Sequence, residues 1–419
     1  MDVAHFFFPA LILASLAGDP LVVSEARQCS AVGQASKPIT TRGLPGVQVQ
    51  GPRGGVQIGS PAPLLQVDQW IRGSEFQGFQ RGQVYAVAFL SPWSELCNPS
   101  LTDLAHFQSE YGPTGLEVLG IGGSDSTGTT PDILRSCTEQ FGGLIQFRVG
   151  FDAGERTRTA WVGEGHQEVL PRVVLIDQRG TVVFVGEPRW LAMPLSAVLR
   201  GDFQVEAVNA EVERAKRTLE LLSRSVCRDP AGALVGLDVF DAQFPEYKFC
   251  AGALRFVAML DEAAARMGSL ERAYAFGAAH VEAATARNDP STLDKLAFAI
   301  IDPERDLEGR GFELDLDLAK RAAEQAERIT GGQNAVVLDT LSRVHFAEGN
   351  LVAAVAIARR AHDVAPKILR EQLRARLEAY QRLLNNSEQE AVSEHRRGRF
   401  KGCRGPECAR ERFPEYEGG

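Results

Sequence analysis

From Val84 the chain runs VYAVAFL, an unbroken apolar stretch rich in β-branched and aromatic side chains. A run so short and continuous suits a strand buried on both faces. A turn follows. Leu101, Leu104, Phe107 and Tyr111 then recur at intervals of three and four, the period of an amphipathic helix. LEVLGIGG (116–123) predicts a second buried strand. PDILRSCTEQF (131–141) opens with proline at a first helical position and sets Ile133, Leu134, Cys137 and Phe141 on one face. LIQFRVGFD (144–152) reads as strand, and LSAVLRG (195–201) as a short closing helix. Between them RVVLID (172–177) and TVVFVG (181–186) form a hairpin that turns at Gln178–Gly180. Strand and helix in alternation, closed by a hairpin, imply an α/β domain with a mixed sheet and flanking helices.

From about residue 204 the strand signals vanish, and Ala, Leu, Glu and Arg dominate as in long helices. The stretch 335–366 divides into helix, turn and helix, with Gly349 at the turn and Pro366 as a stop. Small residues at Ala354 and Ala361 let the two helices approach closely. Residues 293–303 with 316–329, and 254–284 with Gly268 at its turn, read as two further helix pairs. KILREQLRARLEAYQRLL (367–384) carries Ile368, Leu369, Leu373, Leu377, Tyr380 and Leu384 in one stripe, as a capping helix would. The unit 335–366 resembles a tetratricopeptide repeat, in its apolar Leu338 and Leu341, small Ser342, turn, small and stop positions. That resemblance implies an all-α helical-repeat domain whose concave surface holds a protein or peptide partner.

The termini differ from both halves. Residues 6–16, FFFPALILASL, have the length of a signal-peptide core and are too short for a comfortable membrane span, although MDVAH before them carries no Lys or Arg. Residues 30–63 are dominated by Gly, Pro, Ser and Thr and read as a linker. Residues 387–419 hold seven basic side chains against seven glutamates and read as a solvated tail. The expected organisation is a signal peptide at 1–18, a flexible linker at 19–55, the α/β domain at 56–203, the helical domain at 204–384 and a disordered charged tail at 385–419. Export to the periplasm or cell envelope follows from the leader; without its use the chain would be cytoplasmic.

The 419 residues, 44% hydrophobic and 24% charged, exclude a wholly disordered chain and a multispan membrane protein. A net charge of −9 gives no electrostatic case for nucleic-acid binding. Seven cysteines are too few for a disulfide scaffold. Cys403 and Cys408, with His395 upstream, lack the tight spacing and second ligand pair of a zinc site. No metal or cofactor is implied.

Three blocks, in order, resemble the thioredoxin fold of redoxin and TlpA-like thiol–disulfide oxidoreductases over residues 56–203. They are IGSPAPLLQVDQWIRG (58–73), GFQRGQVYAVAFLSPWSELC (78–97) and LPRVVLIDQRGTVVFVG (170–186). The second ends where the family has Trp-Cys-Gly-Pro-Cys; here Trp93 matches the tryptophan, Ser94 the first cysteine and Cys97 the second. The first cysteine is the family's nucleophile, ionised at a helix N-terminus, and the second resolves the mixed disulfide. A serine hydroxyl does neither job, so the resemblance implies a degenerate SxxC site that is weak or inactive in dithiol exchange. The buried acid of some members aligns near Ala88, and the proline after the second cysteine is Thr102. Pro171 matches the family's cis-proline, which with Leu170 and Trp93 forms the surface for an extended peptide.

Two alternatives stay open. One is a non-enzymatic scaffold that works through its helical repeats. The other is a one-cysteine peroxidase of the AhpC/TSA type, in which Ser94 orients peroxide at Cys97; Arg148, Arg172 and Arg189 are its candidate arginines by position. His166 and Glu168 precede the proline and read as a surface loop, although a histidine near Cys97 would serve as a base. Cys137 is either a core residue or a partner for Cys97, and Cys227 with Cys250 is a candidate structural disulfide at the domain junction.

Overall fold

The computed structural model describes residues 55–401 apart from 93–96, 125–127, 142, 164–169 and 366. The leader, nearly all of the linker and the chain after Lys401 lie outside the described residues.

Six strands form one mixed sheet in the order β1-β4-β3-β2-β5-β6. They are β1 (Gln69–Arg72), β2 (Val84–Phe89), β3 (Leu116–Gly123), β4 (Arg148–Asp152), β5 (Arg172–Ile176) and β6 (Val182–Gly186). The central strands β4, β3 and β2 run parallel, while β1, β5 and β6 pair antiparallel to their neighbours. Every residue of β2 is buried, as its unbroken apolar run requires. Val84, Ala86 and Ala88 join one core; Tyr85, Val87 and Phe89 join the core on the opposite face.

Helices cover both faces. Leu101, Leu104, Ala105 and Phe107 of α1 (Cys97–Tyr111) are buried on the Ala86–Ala88 side. So are Leu134 and Cys137 of α2 (Pro131–Glu139), which Thr130 caps by accepting a hydrogen bond from the Ile133 amide. Trp161 and Val162 of α3 (Arg156–Val162) fill the other face, where Trp161 packs against Phe79 and Phe89. A short 3-10 turn at Pro188–Trp190 leads into α4 (Ala192–Arg200). This arrangement is a thioredoxin-like fold.

A large all-helical region follows: α5 (Val205–Val226), α6 (Pro230–Gln243), α7 (Lys248–Ala265), α8 (Glu271–Ala286), α9 (Pro290–Ile301), α10 (Leu316–Ile329), α11 (Ala335–Ala347), α12 (Leu351–Val364) and α13 (Lys367–Lys401). Each helix packs on the next, and α5 on α7, α7 on α9, α8 on α10 and α9 on α11. Small side chains line the tight contacts: Ala319, Ala322, Ala323 and Ala326 of α10 are fully buried. Gly349 sits at φ +75 between α11 and α12, a left-handed conformation that a Cβ would strain.

Two features bear on the expected boundaries. Residues 385–401 continue α13 as helix rather than starting an irregular tail, consistent with their Glu, Gln, Ala and Arg content. The change near residue 204 is also one of secondary structure and not of core. Val212, Ala215, Leu237, Phe240, Tyr247 and Ala258 belong to the same buried cluster as Val84, Leu101, Trp190 and Val198. Tyr247 carries the junction: its hydroxyl donates to the Trp190 carbonyl at 2.9 Å, and the two rings meet edge-on at 5.0 Å.

Candidate functional site

The ladder between the parallel strands β2 and β3 ends at the pair Phe89–Ile121, two residues before β3 itself ends, and α1 starts at the same end of the sheet. Cys97 is the first residue of α1. The first amides of a helix have no partner within it and favour negative charge, so this position suits a thiolate. Trp93 and Ser94 lie outside the described residues. In the register of β2 with β5, Phe89 faces Arg172, which sets the Leu170–Pro171 bond beside the end of β2. That bond is cis. A small cleft opens there, lined by Phe89, Leu90, Ile121, Gly122, Gly123, Arg158 and Leu170. Cys97, Leu170 and Pro171 therefore come to one end of the sheet.

Two departures from the redoxin pattern are built into the packing. Ala88, which the resemblance aligns near the acid of some redoxins, is fully buried on the α1 face. Thr102 is buried within α1.

The structure separates the three arginines picked out by position. Arg148 opens β4 at the far end of the sheet and pairs with Glu117. Arg189 lies at the site end but pairs with Glu187 at 3.1 Å. Arg172 also lies at the site end, and among the described residues no carboxylate pairs with it. Its Nε is buried without a hydrogen-bond partner, and burial holds its pKa below the ordinary guanidinium value. Arg158, in the cleft wall, was not legible beforehand; α3 carries it there, and Glu155 neutralises it. His166 and Glu168 lie outside the described residues.

The cysteine expectations resolve as follows. Cys137 is a buried free thiol of the α2 core, not a partner for Cys97. Cys250 is also free, so the Cys227–Cys250 pair does not form; Cys227 is disulfide-bonded to neither of them. α5 carries Cys227 just past its end and α7 holds Cys250 in its first turn, two helices on and facing α1. Cys403 and Cys408 lie outside the described residues, as does Cys29.

Cys250 marks a second polar cluster that periodicity could not foresee, where α1 meets the start of α9. Burial and then the nearby Asp289 carboxylate push the Asp103 carboxyl up to about 7, against the pull of Lys295, Arg189 and Arg287. The Cys250 thiol keeps solvent contact, yet packing around it, with Asp103 and Asp289, pushes its pKa up. His106 is pushed down by burial and Arg287, while Glu110, 2.8 Å from its Nε2, opposes the shift. These groups make Cys250 a poor nucleophile. Among the described residues no group of three His, Cys, Asp or Glu side chains is placed to hold a metal ion, and no helix is long and apolar enough to cross a membrane.

No family model matches the chain. Protein FixW of Rhizobium leguminosarum is 29% identical over 153 residues, 36% of this chain and 69% of that one. Among solved structures, a thiol-disulfide isomerase from Corynebacterium glutamicum is 21% identical, covering 33% of this chain and 96% of that one at a TM-score of 0.28. A thioredoxin-like protein in its oxidized form is 17% identical over 35% of this chain and all of its own length (100%), with a TM-score of 0.30. A candidate DsbE thiol:disulfide interchange protein from Chlorobium tepidum is 22% identical over 35% of this chain and 99% of that one, with a TM-score of 0.28. The sheet order, the cis-proline beside the end of β2 and the helix that opens at Cys97 together make the first half of this chain a thioredoxin-like fold.

Proposed function

We propose that the chain is an exported thioredoxin-fold protein that engages extended cysteine-bearing peptides through a single thiol, Cys97, and does not turn over as a dithiol catalyst. The observation that carries this reading is the placement of Cys97 at the α1 N-terminus, at the same end of the sheet as the Leu170–Pro171 bond. A Cys97 thiolate attacks a sulfur of a substrate disulfide. One S–S bond breaks, the Cys97–substrate bond forms, and the other substrate sulfur leaves as thiolate. Resolution would need a second thiol at position 94. Ser94 supplies only a hydroxyl, so the mixed disulfide persists until an external thiol attacks it. The stacked helix pairs that follow support a partner-holding role for the helical half, in line with its resemblance to tetratricopeptide repeats.

Ser94→Cys provides the test. Wild-type protein should form a stable mixed disulfide with a disulfide-bearing peptide, seen as an adduct at Cys97 by intact mass. It should not accelerate the reduction of insulin by dithiothreitol. Ser94→Cys should shorten the adduct lifetime and raise insulin reduction by at least about tenfold. Absence of any Cys97 adduct in the wild type would overturn the reading and leave the scaffold alternative. A fast reaction of Cys97 with hydrogen peroxide, with no peptide adduct, would favour the peroxidase reading instead.

A further inference from the structure

Arg172 is the residue of the site end that the fold itself does not explain. It opens β5 immediately after the cis-proline and lies directly across the ladder from Phe89, a wall of the cleft. Residues directly opposite on an antiparallel pair project to the same face, with Cβ atoms about 5 Å apart. A cation held half-buried without a counter-charge costs stability. The other arginines placed at this end have their acids: Glu155 for Arg158 and Glu187 for Arg189. The acid just after β6 does not serve Arg172 either, since Glu187 is taken by Arg189 and by Lys216 at 3.1 Å. Arg172 thus stands across from a cleft-wall residue, next to the strand end that would align a peptide, and among the described residues its Nε has no hydrogen-bond partner.

We propose that Arg172 is the specificity residue of this site, binding a carboxylate of the incoming peptide so that acidic segments around the reacting cysteine are preferred. The inference rests on the peptide-engaging reading above and names the class of peptide. An Asp or Glu side chain near the cysteine would supply the missing counter-charge, and a guanidinium accepts a carboxylate in a two-point geometry that a lysine ammonium does not offer.

The test uses the full chain and two synthetic peptides, each activated at its one cysteine as a mixed disulfide with nitrothiobenzoate. One peptide carries glutamate two residues to either side of the cysteine; the other carries glutamine there. Attack by Cys97 joins its sulfur to the peptide sulfur and releases the coloured nitrothiobenzoate thiolate, so the rate is read directly. At low salt the wild type should react about tenfold faster with the glutamate peptide at sub-saturating concentration, and added salt should shrink that ratio. Arg172→Gln should bring the ratio to about one while its rate with the glutamine peptide stays near wild type; Arg172→Lys should restore part of the preference. Equal wild-type rates for the two peptides would overturn the role of Arg172 and leave the thiol reading standing. A preference that survives Arg172→Gln would overturn it as well. No Cys97 adduct with either peptide would overturn both. Circular dichroism and thermal melts of each variant separate a folding defect from a change in preference.

Discussion

At the residue scale, the proposed loss of dithiol chemistry rests on a few side chains whose chemistry is simple. By the resemblance, Ser94 stands where the family has a cysteine and Ala88 where some members have an acid, while burial and then two carboxylates oppose the ionisation of Cys250. The Asp103 carboxyl nearby yields a prediction with a defined sign. Its pKa is raised in the fold to about 7 from 3.8, so the folded chain holds that proton more tightly than the unfolded one. The contribution is fully favourable below the unfolded value and is lost as pH rises through the folded value. Asp103→Asn should therefore melt close to wild type near pH 4 and above it at pH 8. The gain is about 2 kcal/mol once screening of a part-exposed group is allowed for. A variant no more stable than wild type at pH 8 would show that Lys295, Arg189 and Arg287 already compensate the charge.

At the element scale, what the sequence makes legible depends on how strongly one physical demand governs each stretch. β2 and β3 are buried on both faces, and their apolar runs announce it; β3 spans the expected LEVLGIGG without a residue's difference. The α11–α12 hairpin is equally plain, because close helix approach demands small side chains and the turn demands glycine. At Gly349, alanine should cost about 1 kcal/mol through the left-handed backbone alone, since no neighbouring atom crowds the position; chemical denaturation measures it directly. β1 was missed because it is four residues long and half-exposed. The expected strand 144–152 is regular only from Arg148, although Ile145 and Phe147 before it are buried. α3 was missed because its sequence RTRTAWV carries apolar residues only at its end. Its start is fixed from outside the helix: the buried Asp152 carboxylate accepts from the amides of Arg156 and Arg158 at 3.1 and 3.0 Å. That missed helix brings Arg158 to the cleft, so the candidate site was legible in its cysteine and proline and illegible in its charges. Partnering of an arginine is a property of tertiary neighbours: of three arginines equal by position, one lies at the far end, one pairs with Glu187, and one has no carboxylate partner among the described residues.

At the scale of the whole molecule, the two secondary-structure classes do not behave as two independent bodies. Periodicity shows which residues of α5, α6 and α7 are apolar, but not that those faces meet the core of the sheet. Burying Trp190, Leu195 and Val198 with Phe240 and Tyr247 makes one cluster of both halves. A chain ended at residue 203 should therefore fail to fold cooperatively, binding a hydrophobic dye and giving a broad melt. A chain ended after α7, at residue 265, should recover a sharp transition. Equal cooperativity for both truncations would show that the sheet is self-sufficient and that Tyr247 only decorates it.

The shared core also sets an order of events at synthesis. Residues 55–203 leave the ribosome before the helices that complete their apolar face exist. Until the segment carrying Tyr247 emerges, Trp190 lacks the ring it packs against, and its carbonyl lacks the hydroxyl that satisfies it in the finished protein. The redoxin-like part should therefore not close ahead of its neighbour, however early its own sequence is complete. On the proposed reading of the chain as exported, that delay would work as a clock, keeping the first half open until the second has been made.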